Sequence, residues 1–576
     1  MNKRLCTLMM LIAVCVMTAM AQKKEPTTAN YLQACEALDS ADYETAQTLF
    51  KAELKKRPKD GYVWNKLTNV YLSQYDLDSA LFCADNAIKF LPKKDTEKVV
   101  DAYGMRGVVR YFNEDLDGSL EDFSIVQKMK PDDETSYYIK STIYKNQEKY
   151  AESDAELKKM LNLYGVNKSE VYTTLAKNLM EREEFSQALN YINQAYELDR
   201  TTPDILVVRS DAHMGMGNLQ EAINDAVEAS KIDFGEEGFK QLGYLASDDA
   251  NRSTVIARVK KEAESGDHSY FWNYLLHSIY DSTSNNTESF RYLLRTYKTE
   301  KTPSLAWQIA QFLGKMEIND KAYEYAQIAI NDENTDPDVL PQLNFSAANM
   351  LFYDGKAEQA IEKLKQLKDF TEDEDKNAVN MRIAEIYLYE RQPKEALKYM
   401  RMIENEEAKN GSYWNLMARV YLMDGDKSAA KMATQKAYES DESLDKIYAQ
   451  ALNGNREQTY DALRVAVSRY TDDTELEEKL EMTEEEIDGT LSEWINSYQY
   501  NIACVYSLIG EKEKAISHLT EALKEGWKDF RHIDVDTDLD NIRQESDFQS
   551  VIKMYRSLAD KEKEELLEVM NEELER

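Results

Sequence analysis

Along Gly61–Lys94 the apolar positions recur with a helical period. Trp64, Leu67, Thr68 and Tyr71 fall on one face of a helix. A turn follows around Gln74–Leu77, and then Ala80, Ala84 and Ala87 form a second stripe closed by Pro92. The spacing predicts two short helices that share one seam of small residues. Such a pair cannot bury its seam alone and needs copies of itself on either side.

The chain supplies the copies. Counting the first residue of each as position 1, they begin at 27, 61, 100, 134, 169, 203, 303, 341, 377, 411 and 496. Position 8 is Ala34, Thr68, Gly107, Ser141, Ala176, Ser210, Ala310, Ala348, Ala384, Ala418 and Ala503. Position 20 is Ala46, Ala80, Ser119, Ser153, Ala188, Ala222, Ala322, Ala360, Ala396, Ala430 and Ala515. All twenty-two are small. Helices that cross at close range need this, because overpacking a seam costs roughly 1–3 kcal/mol per site. Four neighbouring pairs of starts (27/61, 100/134, 169/203 and 377/411) lie 34 residues apart.

A helix–turn–helix of this length with these small positions resembles the tetratricopeptide repeat (TPR). The resemblance implies an all-α fold, an α-solenoid (superhelix) of stacked helix pairs with a C-terminal helical cap. Residues 22–236 then hold six repeats, with Gly217 in Met216-Gly217-Asn218 supplying a turn between helices. Residues 237–302 are degenerate: Leu276 takes a small position, and two atypical pairs are expected around the polar turn Asp281–Thr287. Residues 303–444 form a second array of four repeats. Residues 445–495 hold a shortened pair and then the acidic stretch Thr471–Leu491, read as a solvated excursion. Residues 496–529 are a final repeat and 530–576 a cap, with Lys561–Arg576 a charged helix open to fraying.

Residues 1–21 stand apart. Lys3 and Arg4, the apolar run Leu8–Met17 and Ala19-Met20-Ala21 before Gln22 have the layout of a secretory signal peptide. The run is shorter than the ~20 residues of a spanning helix, so no transmembrane segment is expected. Val14 stands where a lipidation signal at Cys15 wants a small residue. Export to the periplasm or beyond follows. The Ala-Gln junction and the Tyr-rich acidic composition resemble exported proteins of Bacteroides-type Gram-negative bacteria.

The net charge of −35 becomes −37 without Lys3 and Arg4, 69 Lys+Arg against 106 Asp+Glu. That surface repels phosphates, so a nucleic-acid partner is not expected. The cysteines beyond the signal, Cys35, Cys83 and Cys504, are odd in number and scattered, and read as small buried apolar residues rather than a disulfide framework.

The sequence offers no catalytic motif. His213, His268, His277, His518 and His532 form no metal-ligand spacing, and GxSxG, CxxC and a phosphate loop are missing. No enzyme, cofactor or metal is expected. Asp534, Asp536, Asp538, Asp540 and Glu545 have the spacing of a calcium loop, but Leu539 stands at the sixth position, where the loop turns on glycine. The reading preferred is a cap, with Leu539 and Ile542 inward and the acids facing water.

The resemblance assigns positions 2, 5, 9 and 12 of the first helices to a concave groove. These include Tyr31, Tyr62, Asn65, Asn69, Leu72, Val108, Tyr111 and Tyr138 toward one end. Toward the other they include Phe345, Asn349, Phe352, Met381, Leu388, Asn415, Arg419 and Tyr500. Rings beside amides suit a bound polypeptide. Asn65 and Asn69 match part of a family clamp for acidic C-termini, but Asp101 and Met105 stand where that clamp needs cations. The function expected is a non-enzymatic protein- or peptide-binding scaffold in an envelope complex. The alternative, a TPR-scaffolded glycan-binding protein at the outer membrane, needs exposed tryptophans. Trp64, Trp272 and Trp414 instead occupy position 4, a packing site.

Overall fold

A computed structural model describes residues 26, 28–266, 268–368, 373–405, 408–439, 443–470, 482–492 and 496–575. The expected signal peptide and residues 471–481 lie outside the described residues. Among the described residues every regular element is helical, with 31 α-helices, two short 3-10 turns and no strand. The chain divides into two compact units, one ending at Leu245 and the other beginning at Ala246.

Each of the eleven copies is a helix pair, as in Gly61–Ser73 with Leu77–Phe90 and Gly411–Asp424 with Lys427–Tyr438. All twenty-two small residues are buried. At Gly107 an added Cβ would lie 2.8 Å from Phe123 Cε2. Two of the seam serines bond across it: Ser119 Oγ donates to Gly107 O at 2.7 Å, and Ser210 Oγ to Ala222 O at 2.9 Å.

The turns share one backbone conformation. Position 15 is left-handed in all eleven repeats, with φ between 54° and 85°. Gly217, Gly355, Gly425 and Gly510 adopt it freely, whereas Ala41, Tyr75, Glu114, Glu148, Glu183, Glu317 and Arg391 hold it with a side chain. Position 16 often caps the second helix. The Asp42, Asp76, Asp115 and Asp426 carboxylates accept from the backbone N–H three residues on.

In the first unit, three repeats place opposite charges at positions 7 and 23. Arg106 grips the fully buried Asp122 at 2.7 and 2.9 Å, helped by Arg110 at 3.0 Å. Arg209 pairs with Asp225 at 2.8 Å, and Lys140 lies 3.6 Å from Glu156. Cys83 is buried and Cys35 half-buried, both as free thiols.

In the second unit, the degenerate stretch and its neighbours fold as Asp249–Glu264, then the pair Ser269–Asp281 and Asn286–Thr299, with Leu276 fully buried. Two expectations need correction there. Part of the acidic stretch, Glu484–Ser492, is a docked helix, because Ile487 and Leu491 fall one turn apart and are both fully buried. The C-terminal helix Ser546–Glu575 is not frayed. Leu566, Val569 and Met570 pack with Phe290, Leu294 and Leu313. Glu573, 3% exposed, takes Arg295 at 2.9 Å and Arg291 at 3.2 Å. Burial alone would push the Glu573 carboxyl up, but the two arginines hold it below the usual range.

Candidate functional site

In the second unit the first helices of the repeats turn one row of side chains toward the chain's own C-terminal segment. That segment comprises the short helix Phe530–Val535, the turn Thr537–Leu539 and the residues leading to the C-terminal helix. Leu539 and Ile542 point inward and are fully buried, as the cap reading requires. Its acids do not all face water: Asp536 and Asp538 are 2% and 4% exposed. The reason is Arg419, which enters from Gly411–Asp424 and reaches Asp536 at 2.9 Å and Asp538 at 3.2 Å.

The segment is held along its length. Arg531 bonds Glu390 at 3.0 Å, and Arg391 takes Asp540 in a two-pronged pair at 2.8 and 2.9 Å. The Tyr500 hydroxyl donates to Asp536 at 2.7 Å. Two bonds reach backbone: Ser507 Oγ donates to Asp538 O at 2.6 Å, and Asn541 Nδ2 to Ser507 O at 2.9 Å. The His532 ring stands edge-on to Tyr389 at 5.3 Å.

Burial and charge divide the carboxyls. Burial raises Asp536, yet Arg419, His532 and the Tyr500 bond outweigh it and hold the group low. Asp538, buried beside Asp540 and Glu385, is pushed up despite Arg419. Glu385 is pushed up by burial but held low by Arg382. Burial drives the Tyr500 hydroxyl and the Cys504 thiol well above their ordinary ranges. Among the described residues, Cys504, Asp536 and Asp538 are grouped closely enough to suggest a cation site. The Arg419 guanidinium already supplies the positive charge there, which opposes a metal ion. The calcium-loop residues diverge as well: Asp534 pairs with Arg556, Asp540 with Arg391 and Glu545 with Lys512.

Beside this segment lies an open groove of about 570 Å³. Phe345, Met381, Asn415 and Arg419, four of the expected groove residues, line it together with Arg382, Glu385 and Asp445. Asn415 donates to Asp445 Oδ1 at 2.9 Å, and Asn349 accepts from Arg382 at 2.7 Å. Phe352 and Leu388 are fully buried and Tyr500 is 5% exposed, so these three serve packing rather than an open groove.

In the first unit the division is similar. Tyr31 is buried edge-on to Phe50, and Leu72 and Val108 are buried as well. Asn65 is buried, and Tyr62 is 9% exposed with its hydroxyl donating to Asp95 at 2.6 Å. Asn69, Tyr111 and Tyr138 stay half-buried, with the Tyr111 hydroxyl accepting from Asn146 at 3.1 Å.

Sequence reasoning missed Arg382, Glu385, Arg391 and Asp445. It noticed the aspartate alternation without its partner. The signal was Arg419 itself, a cation inside the apolar run Met417–Met423. A charge in such a run asks for a buried counter-charge.

Models of the tetratricopeptide repeat match residues 31–90, 173–235 and 497–525. The helix pairs within these stretches are tetratricopeptide repeats. The chain is similar to a chloroplastic protein of Arabidopsis thaliana, with 41% identity over 56 residues, 10% of this chain and 17% of that one. It is similar to the DnaJ homolog subfamily C member 7 homolog of Schizosaccharomyces pombe, 24% identical over 187 residues, 30% of this chain and 38% of that one. It thus spans less than two-fifths of either relative. Among solved structures, the C-terminal part of a TPR repeat-containing protein from Cytophaga hutchinsonii is 10% identical. The match covers 47% of this chain and 96% of that one, with a TM-score of 0.35.

Proposed function

We propose that this tetratricopeptide-repeat chain is a non-enzymatic scaffold that captures a protein or peptide partner in the bacterial envelope. One observation carries the reading: the first helices Gly411–Asp424 and Asn496–Leu508, with the turn residue Arg391, hold a polypeptide, the chain's own segment Phe530–Asn541. They do so with arginine–carboxylate pairs, a tyrosine hydroxyl and bonds to backbone. Asn69, Tyr111 and Tyr138 offer rings and an amide on the same positions of the first array. Export rests on the layout of residues 1–21, and no described helix is long and apolar enough to cross a membrane.

The test is capture from the native envelope fraction by the mature protein and by an Asn69→Ala/Tyr138→Ala variant. The expected result is a partner lost from the variant at unchanged melting temperature. Equal capture by both would overturn the groove. Mass spectrometry of the mature N-terminus should find a free Gln22; a lipidated Cys15 would favour the glycan-binding alternative, which the burial of Trp272 at 1% exposure does not support.

A further inference from the structure

The repeats act as controls for one another, and at one position two of them, with Phe82 and Met432, depart from the rest. At position 22, on the outer side of the second helix, nine of the other ten repeats carry a polar or small residue, among them Glu121, Asn190, Glu324 and Ser517. The second repeat carries Phe82, 61% exposed. The fold does not require that ring, and its hydrophobic surface is left in water.

The ring is nevertheless held in place. Trp64 meets it edge-to-face at 5.7 Å and 83°, and the Trp64 indole is fixed by its N–H donating to Pro58 O at 2.9 Å. Between Phe82 and the preceding second helix, Tyr43–Lys56, opens a cleft of about 610 Å³. Leu54, Leu67, Tyr71 and Cys83 are its buried apolar floor. Lys51 and Lys55, one helical turn apart, stand exposed at its edge. Lys51 lies 5.4 Å over the Tyr71 ring, and among the described residues neither lysine is ion-paired. Asp78 also lines the cleft. On a chain of net charge −35 the two lysines give the cleft a locally positive edge.

We propose that this cleft is a second docking site, for an acidic amphipathic segment of a partner protein. A bulky apolar side chain inserts against Phe82 and Trp64, and flanking carboxylates meet Lys51 and Lys55. The site is built by second helices and by positions 4, 7 and 11 of a first helix. It is therefore separate from the face carrying Asn69 and Tyr138, and either site can fail without the other. Lysines at the rim supply orientation and association rate, and the preorganised aromatic pair supplies affinity.

The experiment uses the mature full-length protein and two fluorescein-labelled peptides. One carries Leu and Phe a helical turn apart among glutamates; the other has lysine in place of every glutamate. The acidic peptide should bind saturably and weaken with salt, and the basic one should not bind. Phe82→Ser should weaken binding by about tenfold or more at an unchanged melting temperature. Lys51→Glu/Lys55→Glu should abolish it and transfer binding to the basic peptide. Failure of the acidic peptide to bind, equal binding of both peptides, or unchanged affinity in Phe82→Ser would each overturn the proposal. So would a Phe82-dependent dimer in sedimentation, which would make a second copy of the chain the occupant.

Discussion

The two arrays share a seam and a turn but place their charges differently. In the first, Arg106–Asp122, Arg209–Asp225 and Lys140–Glu156 sit inside repeats, between positions 7 and 23. In the second those positions hold pairs such as Ile309/Tyr325, Ile383/Tyr399 and Met417/Ala433, and the charges have moved to the first-helix face. There Arg419, and in the turn after the neighbouring first helix Arg391 and Glu390, hold the C-terminal segment. A charge pair inside a repeat joins groups close in sequence. The same chemistry on the face selects a segment more than a hundred residues away, as Arg419 Nη2 does with Asp536. The turns differ too. Five of six left-handed turn positions in the first array bear a side chain, against two of four in the second.

The strongest way to break this comparison is to remove Arg419. Arg419→Ala leaves Asp536 and Asp538 buried without their cation and should cost about 3–5 kcal/mol. Lys140→Ala, whose partner Glu156 keeps Lys159 at 2.8 Å, should cost clearly less. Denaturant titration of both variants decides, and equal losses would erase the distinction.

Acid should separate the arrays next. In the first, loss of hydration raises the half-buried Asp211 and the exposed Asp101 and Glu134, so these carboxylates oppose folding at neutral pH, the exposed pair least because water screens them. That opposition fades as the pH falls through their raised values. Glu156, held low mainly by Lys159 and Gln127 against burial, moves the other way. So do the exposed Asp42 and the half-buried Asp199, held low by hydrogen bonds from Thr45 and from Thr202 and Thr201. In the second, Glu385, Asp536, Glu562 and Glu573 are held low against burial by basic partners. Their stabilisation is present above the ordinary carboxylate range, about pH 4, and is lost as the pH falls below it. Asp529 and Asp538 run opposite. Hydrogen exchange resolved by array should find the second losing protection first on acidification.

The seams should respond alike. Ala222→Leu in the first array and Ala396→Leu in the second, both fully buried, should each cost roughly 1–3 kcal/mol without affecting ligand capture. A clear difference in melting between them would mean that the seams are not equivalent. The smallest effect belongs to the turns. Glu183→Gly should stabilise by about 0.5–1 kcal/mol, since Glu183 is exposed and left-handed at φ 60°. A loss in its melting temperature would sink the turn argument.

The groove was only partly legible. Phe345, Met381, Asn415 and Arg419 meet at one groove, because the repeat phase carries each to the same side. Tyr31 and Asn65 share the phase of Phe345 and Met381 and are nevertheless buried. Whether a ring at such a position faces solvent depends on how closely the next repeat stands, which the residue itself does not record. Glu484–Ser492 was misjudged for a related reason: its acids outnumber Ile487 and Leu491, and the two apolar residues decide the docking.

The sequence alone determined the helix pairs, their phase and their small-residue seams. Those depend on residues a few positions apart, and a steric demand repeated eleven times leaves a periodic record. Only the tertiary structure decided that Asp536 and Asp538 are buried under Arg419, that the C-terminal helix docks on Asn286–Thr299, and that Phe82 overlooks a cleft between lysines. Each of these joins residues through space at no fixed spacing, so the chain carries no periodicity from which to read them.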